Sequence, residues 1–339
     1  MKVPPVLLNS ATQTQGEERA QAWAAALDHI VFELFDRWKL TDDPQPGSPW
    51  AGAESLVIPV RLHDGFPAVL RIAAPNTDNP TVHEQTIRAL RAWGGHGAVR
   101  IIEDDPSMRA TLQERLRTEV NLSTEPLHAV APIWGQLVQA LRVPGTNGFV
   151  RVQDIAAAWL KRFDTDVRLV DSFPAFTQAD QQVLSTALSW TKELAGAADS
   201  WLLHADLHYY NILAGNPDAN GIATWKAIDP QPLTGPTEYM LAPLMWNRLG
   251  EIPGTDPEGQ ADWLRGFAAE LSRRAQINPS GAMGASVARE VQNMFWYLRA
   301  AAEGNPRLIE DAERSLWVAR ALTGVSVQGV TTQQLKPLG

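Results

Sequence analysis

The first clear pattern along the chain is helical. Between Glu17 and Trp38, apolar side chains recur at Trp23, Leu27, Ile30, Val31, Leu34, Phe35 and Trp38, the i, i+3/i+4 spacing that lines one face of a helix. Thr41 to Ala53 interrupts it with Pro, Gly and Asp and reads as a loop. Two strand-like runs follow, Ser55–Leu62 and Ala68–Ala73. The His63-Asp64-Gly65 between them is a hairpin signal. Asn79-Pro80-Thr81 opens a helix to about Trp93, and Val99–Glu103 and Met108–Glu114 read as further strands. The rest is mostly helical: about Thr124–Leu141, Val152–Phe163, Gln178–Ala195, Glu238–Leu249, Glu258–Ala275, Ala285–Glu303 and Pro306–Leu322, with Gly324 placed as the C′ glycine of the last. One strand pair, Asn211–Ala214 and Thr224–Ile228, interrupts these helices around the turn-forming stretch Asn216-Pro217-Asp218-Ala219-Asn220-Gly221. The change of character near residues 114–120 places the boundary of two domains: 1–117, an N-terminal helix with a β-rich lobe, and 118–339, a helical lobe.

Composition narrows the function. A chain of 339 residues with 45% hydrophobic positions has room for two domains or one large two-lobed unit. Its 29 basic against 38 acidic side chains give a net charge of −9, which speaks against a nucleic-acid surface and suits a cationic small molecule, although solubility alone explains it equally well. The absence of cysteine excludes disulfides, Cys–zinc sites and thiol nucleophiles. Residues 1–16 carry one Lys and the short apolar patch Val6-Leu7-Leu8, which matches neither a signal nor a transit peptide. No run of 18 apolar residues exists to span a membrane. The expectation is a cytoplasmic protein with no membrane partner; the oligomeric state is not legible.

The chemistry concentrates in Leu203-His204-Ala205-Asp206-Leu207-His208-Tyr209-Tyr210-Asn211-Ile212-Leu213 and in Ala227-Ile228-Asp229-Pro230. Asp206 and Asn211 are five residues apart on a loop leading into a strand, and the paired strand returns Asp229 to the same end. One carboxylate and an amide oxygen suit Mg²⁺, a hard cation that also keeps waters and substrate phosphates. The other carboxylate can receive a hydroxyl proton. This is the division of labour of phosphoryl transfer in kinase-type folds. A zinc hydrolase built on His204 and His208 is the competing reading, but the remaining five histidines supply no ligand-like cluster.

These stretches carry a resemblance. His204-Ala205-Asp206-Leu207-His208-Tyr209-Tyr210-Asn211-Ile212-Leu213, Trp225-Lys226-Ala227-Ile228-Asp229-Pro230 and Leu241-Ala242-Pro243-Leu244 resemble the aminoglycoside/hydroxyurea resistance kinases. So do Ser55–Val60, Pro67–Arg71, His83-Glu84 and Gly97–Arg100, so that the similarity spans about residues 17–324. The resemblance implies an α+β, bilobal protein-kinase-like fold, with a small antiparallel β-rich N-lobe and a larger α-helical C-lobe. It implies an ATP- and Mg²⁺-dependent phosphotransferase acting on a hydroxyl of a small, cationic molecule, with streptomycin-like aminoglycosides first. On it, Asp206 is the catalytic base, and Asn211 and Asp229 hold Mg²⁺. Arg71 faces the phosphates with Glu84 as its helix partner. The loop Gly47–Ser55, with Gly52 and Ser55, covers the phosphates, and the backbone of Gln113 to Leu116, with Glu114 and Leu116, receives adenine. Glu84 has a second reading, as the fourth residue of a Thr81-Val82-His83-Glu84 capping box. Trp246 and Trp296 read as core or as cleft lining, Glu238 and Glu303 as solvated helix positions or as contacts to a cation. Two departures stand out: Arg71 replaces the usual Lys, whose ammonium a planar guanidinium does not mimic, and Met240 replaces an acidic residue. They keep open a non-catalytic nucleotide-binding protein, beside a kinase of an unrelated metabolite such as an amino sugar.

Overall fold

The stripe after Glu17 is helical in the computed structural model, which describes residues 3–52, 54–76, 81–198, 200–217 and 223–337. It forms α2 (Glu17–Arg37), and a shorter helix, α1 (Pro5–Gln15), precedes it. The sequence pattern does not disclose α1, because only Leu7 and Ala11 of it are buried, too few positions for a periodic signal. The segment expected to be wholly loop contains two two-residue strands, β1 (Thr41–Asp42) and β2 (Trp50–Ala51). After them come β3 (Ser55–Arg61), β4 (Pro67–Ala73), α3 (Val82–Trp93), β5 (Ile101–Asp105), β6 (Ala110–Glu114) and β7 (Arg117–Asn121). Asn79 and Pro80, expected to open α3, lie outside the described residues, as does 218–221 of the expected turn.

Next along the chain are α4 (Leu127–Ala140), β8 (Val143–Pro144), β9 (Val150–Arg151), α5 (Val152–Asp166), α6 (Gln181–Ala195), β10 (Trp201–His204), β11 (Ile212–Ala214), β12 (Trp225–Ala227) and β13 (Pro232–Gly235). Helices α7 (Ala242–Met245), α8 (Pro257–Arg274), α9 (Pro279–Ala302) and α10 (Ile309–Thr323) complete it. The chain forms two compact units, residues 1–120 with 213–228, and residues 121–212 with 229–339. The strand pair that the sequence reading left inside the helical domain thus packs with the first unit.

In the first unit, β1-β3-β4-β6-β5 form an antiparallel sheet with β2 added on β3. The alternate residues Leu56, Ile58 and Val60 of β3 and Ala68, Leu70 and Ile72 of β4 share one buried cluster with Leu7, Leu27 and Leu34 of α1 and α2. Strand alternation therefore puts Arg71, which pairs with Val57 and Thr111 across the sheet, on the opposite face. Strands β12-β11-β7 form a second, three-stranded sheet.

The second unit is helical around a four-stranded sheet, β8-β10-β13-β9, which the sequence reading lacks. Trp201-Leu202-Leu203-His204 is a continuous apolar run too short to distinguish strand from helix by period. The helix expected over 238–249 is also corrected: only Ala242–Met245 is α-helical, between 3₁₀ turns at Thr237–Met240 and Leu249–Glu251. Pro243 confines the helix start to its own first turn, Trp246 is its C-cap, and Arg248, in the left-handed region at φ 56°, leads into the following 3₁₀ turn. Helix α9 starts six residues earlier than expected, at Pro279, because the Asn278 side chain caps it, accepting from the N–H groups of Ser280 and Gly281. Its Gly284 lets α6 approach: a Cβ there would lie 2.0 Å from Trp190. Gly324 closes α10 in the left-handed conformation, as its position indicates.

One buried titratable group gives stability here a dependence on pH. Glu290 on α9 is fully buried, and burial pushes its carboxyl up from 4.5 to about 8, against the opposing pull of Ser315, Arg314 and Arg289. Its folded-state pKa lies above the unfolded one, so its contribution is complete below about pH 4.5 and is lost as pH rises through about 8. Glu290→Gln should flatten this slope and raise the melting temperature most at pH 8, with an upper bound of about 4 kcal/mol. Thermal melts of both proteins from pH 5 to 8.5 check it; parallel pH profiles would refute the assignment.

Candidate active site

The expected chemistry sits at one end of the β10–β13 pair. These strands are antiparallel, with His204 opposite Pro232, and the Ala205 N–H donates to Gln231 O at 3.0 Å. Residue 206, just past β10, and residue 229, just before β13, therefore lie at the same sheet end. Asp206, Asn211 and Asp229 all belong to the second unit.

Asn211 is buried, and its amide nitrogen donates to the Asp206 backbone oxygen at 3.0 Å and to Asp206 Oδ2 at 3.3 Å. The same backbone oxygen accepts from the His208 N–H at 2.9 Å. Because the nitrogen is committed to Asp206, the planar amide turns Oδ1 away from it. His208 caps the 3₁₀ turn Tyr209–Asn211 through Nδ1, which accepts from the Tyr210 N–H at 3.2 Å, and its Nε2 lies 3.6 Å from Asp206 Oδ2. His204 is fully buried at the strand end. Among the described residues no group of three or more His, Asp or Glu side chains is arranged to hold a metal, so the zinc reading finds no site. Mg²⁺ asks for less, one or two protein oxygens besides waters and phosphates. Asn211 Oδ1 and the Asp229 carboxylate fit that donor set. Asp229 stands in the left-handed region, at φ 48°, ahead of Pro230, a conformation that concentrates at functional sites.

Two arginines that the sequence does not single out hold this loop. Arg289 of α9 donates from Nη1 to Ala205 O and Tyr239 O, both at 3.2 Å, and its guanidinium lies 4.5 Å over the Tyr239 ring. Arg248 covers the buried Tyr209 ring at 4.9 Å and donates to Glu125 O at 2.9 Å while pairing with Glu251. Burial raises the Tyr209 phenol, keeping it neutral. Each role depends on a tertiary contact with a distant segment, for which a lone Arg carries no sequence signal.

A cleft of ≈ 440 Å³ in the same unit is lined by Tyr210, Trp246, Arg248, Glu251, Arg314 and Lys336, among others. Trp246 thus lines a cleft, whereas Trp296 is exposed with its edge on Tyr297. Glu238 accepts from the Asn278 N–H at 3.2 Å, a structural tie to the start of α9, and Glu303 is the C-cap of that helix. Met240 is buried.

The other expected positions lie in the first unit. Arg71 is buried on β4. Glu84 is in the first turn of α3, where Thr81 makes no side-chain cap hydrogen bond, so the capping-box reading is not realised. Its charge instead supports the protonated state of Arg109. Gly52 donates its N–H to Ser55 O at 3.3 Å across the tip of the β2–β3 hairpin, and Ser55 is the buried first residue of β3, where the strand run was expected to begin. Ala53 lies outside the described residues. Glu114 ends β6, with Oε1 accepting from the Arg100 N–H at 2.8 Å and from Lys226 Nζ. Leu116, buried, follows in the link to β7.

A choline kinase of known structure from Streptococcus pneumoniae superposes with a TM-score of 0.52 at 11% identity, over 86% of this chain and 98% of that one. That likeness shows a protein-kinase-like α+β fold. The chain is 33% identical to a streptomycin 6-kinase of Streptomyces glaucescens, over 87% of its own length and 91% of the relative's. It is 30% identical to a hydroxyurea phosphotransferase of Kitasatospora aureofaciens, over 91% and 82%. The profile of one family matches residues 37–299, across both compact units, and on that match the chain belongs to the aminoglycoside/hydroxyurea antibiotic resistance kinases.

Proposed function

We propose that this kinase transfers the γ-phosphoryl group of ATP to a hydroxyl of an aminoglycoside-like small molecule, with streptomycin as the first acceptor to test. The observation that carries the reading is the Asn211 amide nitrogen holding both oxygens of Asp206 that face it, which joins a base and a metal ligand in one loop. Membership of a kinase family supports ATP as donor, and the cytoplasm is where ATP is supplied.

In this reading Asp206 accepts the acceptor's hydroxyl proton and aligns its oxygen for in-line attack. Asn211 and Asp229 hold Mg²⁺, which when bound neutralises charge on the transferring phosphates. Arg71 faces the phosphates with Glu84 beside it on α3. Gly52 and Ser55, at the hairpin tip, cover them through the backbone. The backbone at Glu114 and Leu116 receives the adenine edge. Arg289 and Arg248 hold the loop that carries Asp206.

The net charge of −9 favours a cation, while the ≈ 440 Å³ cleft carries Arg248, Arg314 and Lys336 against Glu251. The decisive assay is acceptor-dependent ADP release from Mg²⁺-ATP with streptomycin, other aminoglycosides, hydroxyurea, amino sugars and neutral polyols. Streptomycin should give the strongest release and gain the mass of one phosphoryl group. Release with only a neutral polyol would discard the aminoglycoside acceptor and keep the kinase. Absence of Mg²⁺-ATP binding by calorimetry would discard the proposed kinase activity.

A further inference from the structure

We propose that His83, Arg109 and Arg71 form a binding site for a phosphate-class oxyanion inside the β-rich unit. All three line one cavity of ≈ 140 Å³, closed on another side by Ser10 and Thr14 of α1, which is room for a group the size of a few water molecules at about 30 Å³ each. Its construction follows from the sheet. Arg71 pairs with Thr111 across β4 and β6, and the Ala73 N–H donates to Arg109 O at 2.9 Å; Arg109 stands in the turn just before β6, in the left-handed region at φ 51°, so both guanidinium stems start from the same end of this strand pair. Two like charges side by side under partial burial repel: burial and Arg71 both lower Arg109, with Glu84 opposing.

Two of the residues that line the cavity carry buried polar atoms without a hydrogen-bond partner. His83, in the first turn of α3, is 4% exposed, and neither ring nitrogen has a hydrogen-bond partner. Arg109 Nε is likewise buried without one. Buried donors are ordinarily satisfied, because leaving them so costs free energy. Burial, with Arg109 and Arg71, holds His83 down at about 4, Asp104 pulling the other way, so at neutral pH it is an uncharged imidazole offering one N–H. Guanidiniums only donate. A group with several acceptor oxygens satisfies these donors, and an oxyanion adds charge complementarity to the two guanidiniums. A tetrahedral phosphate presents oxygens toward donors on a strand, a turn and a helix, whereas a planar carboxylate presents two. Glu54 also lines the cavity and sets a repulsive wall that limits how far the anion enters.

The oxyanion has two sources, the polyphosphate of a nucleotide or phosphate itself. With the first, the inference rests on the proposed ATP use and makes Arg109 and His83 phosphate contacts beside Arg71; with the second, it is independent of that use. Calorimetry on the full chain separates them, with ATP, adenosine and inorganic phosphate as probes and Arg109→Gln and His83→Phe as variants. Loss of ATP affinity by about tenfold or more in each variant, the scale of a charge-assisted contact, with adenosine unchanged, assigns the site to the nucleotide. The same loss for inorganic phosphate alone assigns it to free phosphate. Parent-like affinity of both variants for both anions overturns the proposal. A parent chain that binds no ATP defeats the proposed ATP use separately, and the phosphate arm still decides the site. If the variants fail to fold, the parent's His83 ring resonances decide: they shift with ATP or phosphate and not with adenosine, and their indifference to both anions overturns the site.

Discussion

Asp206→Ala is expected to lower kcat by about 10²–10⁴, the usual span for a positioned acid–base group, while leaving the affinity for ATP and the melting temperature near those of the parent. The separation is possible because of how the loop is built. Two of its tight internal bonds, from Asn211 Nδ2 at 3.0 Å and from the His208 N–H at 2.9 Å, go to the backbone oxygen of residue 206, which alanine keeps. Only the longer 3.3 Å contact to Oδ2 and the 3.6 Å approach of His208 are lost. The Asp206 side chain is 29% exposed, so its removal opens no buried cavity. A lost rate with an unchanged melt therefore reports on the hydroxyl proton rather than on folding. Steady-state ADP release beside thermal melting reads both, and near-parent turnover would remove Asp206 from the mechanism.

The sequence makes this loop legible for a physical reason. Asp206, Asn211 and Asp229 are local features, two of them five residues apart, and polar oxygens at fixed spacing ahead of an apolar strand are a pattern in one dimension. The long amphipathic helices are legible for the same reason: α2, α8 and α10 begin and end within a few residues of the positions that periodicity gives. What stays hidden depends on tertiary contact. Helix α1 is fixed by the burial of Leu7 and Ala11, and the sheet around β10 and β13 consists of strands of two to four residues. Arg289 reaches Ala205 across 84 positions of sequence. The cavity shared by Arg71, His83 and Arg109 requires a strand, the turn before β6 and a helix to be in place before these side chains meet. The capping-box reading of Glu84 fails in an instructive way, since the motif's spacing is present while Thr81 makes no cap bond.

Asp229 allows metal binding to be separated from backbone conformation. At φ 48° it occupies the left-handed region, which Asn and Asp tolerate better than other non-glycine residues because their short polar side chains bond locally. Asp229→Asn keeps that tolerance and removes the charge; Asp229→Ala removes both. By the proposed assignment both variants lose the Mg²⁺-dependent tightening of ATP binding, and both fall in rate by about 100-fold or more, the equivalent of several kcal/mol of charge stabilisation. Only the alanine variant should also lose stability, by about 1 kcal/mol, for a side chain ill-suited to positive φ. Calorimetry of ATP with and without Mg²⁺, paired with melting curves, measures the two effects independently. If the asparagine variant keeps the parent's Mg²⁺ effect, Asp229 is not a metal ligand. Its left-handed backbone would then serve only to turn the chain from residue 228 into β13. If instead Asn melts like the parent while losing the Mg²⁺ effect, and Ala loses both, residue 229 carries two separable requirements, a conformation that Asn can supply and a charge that it cannot.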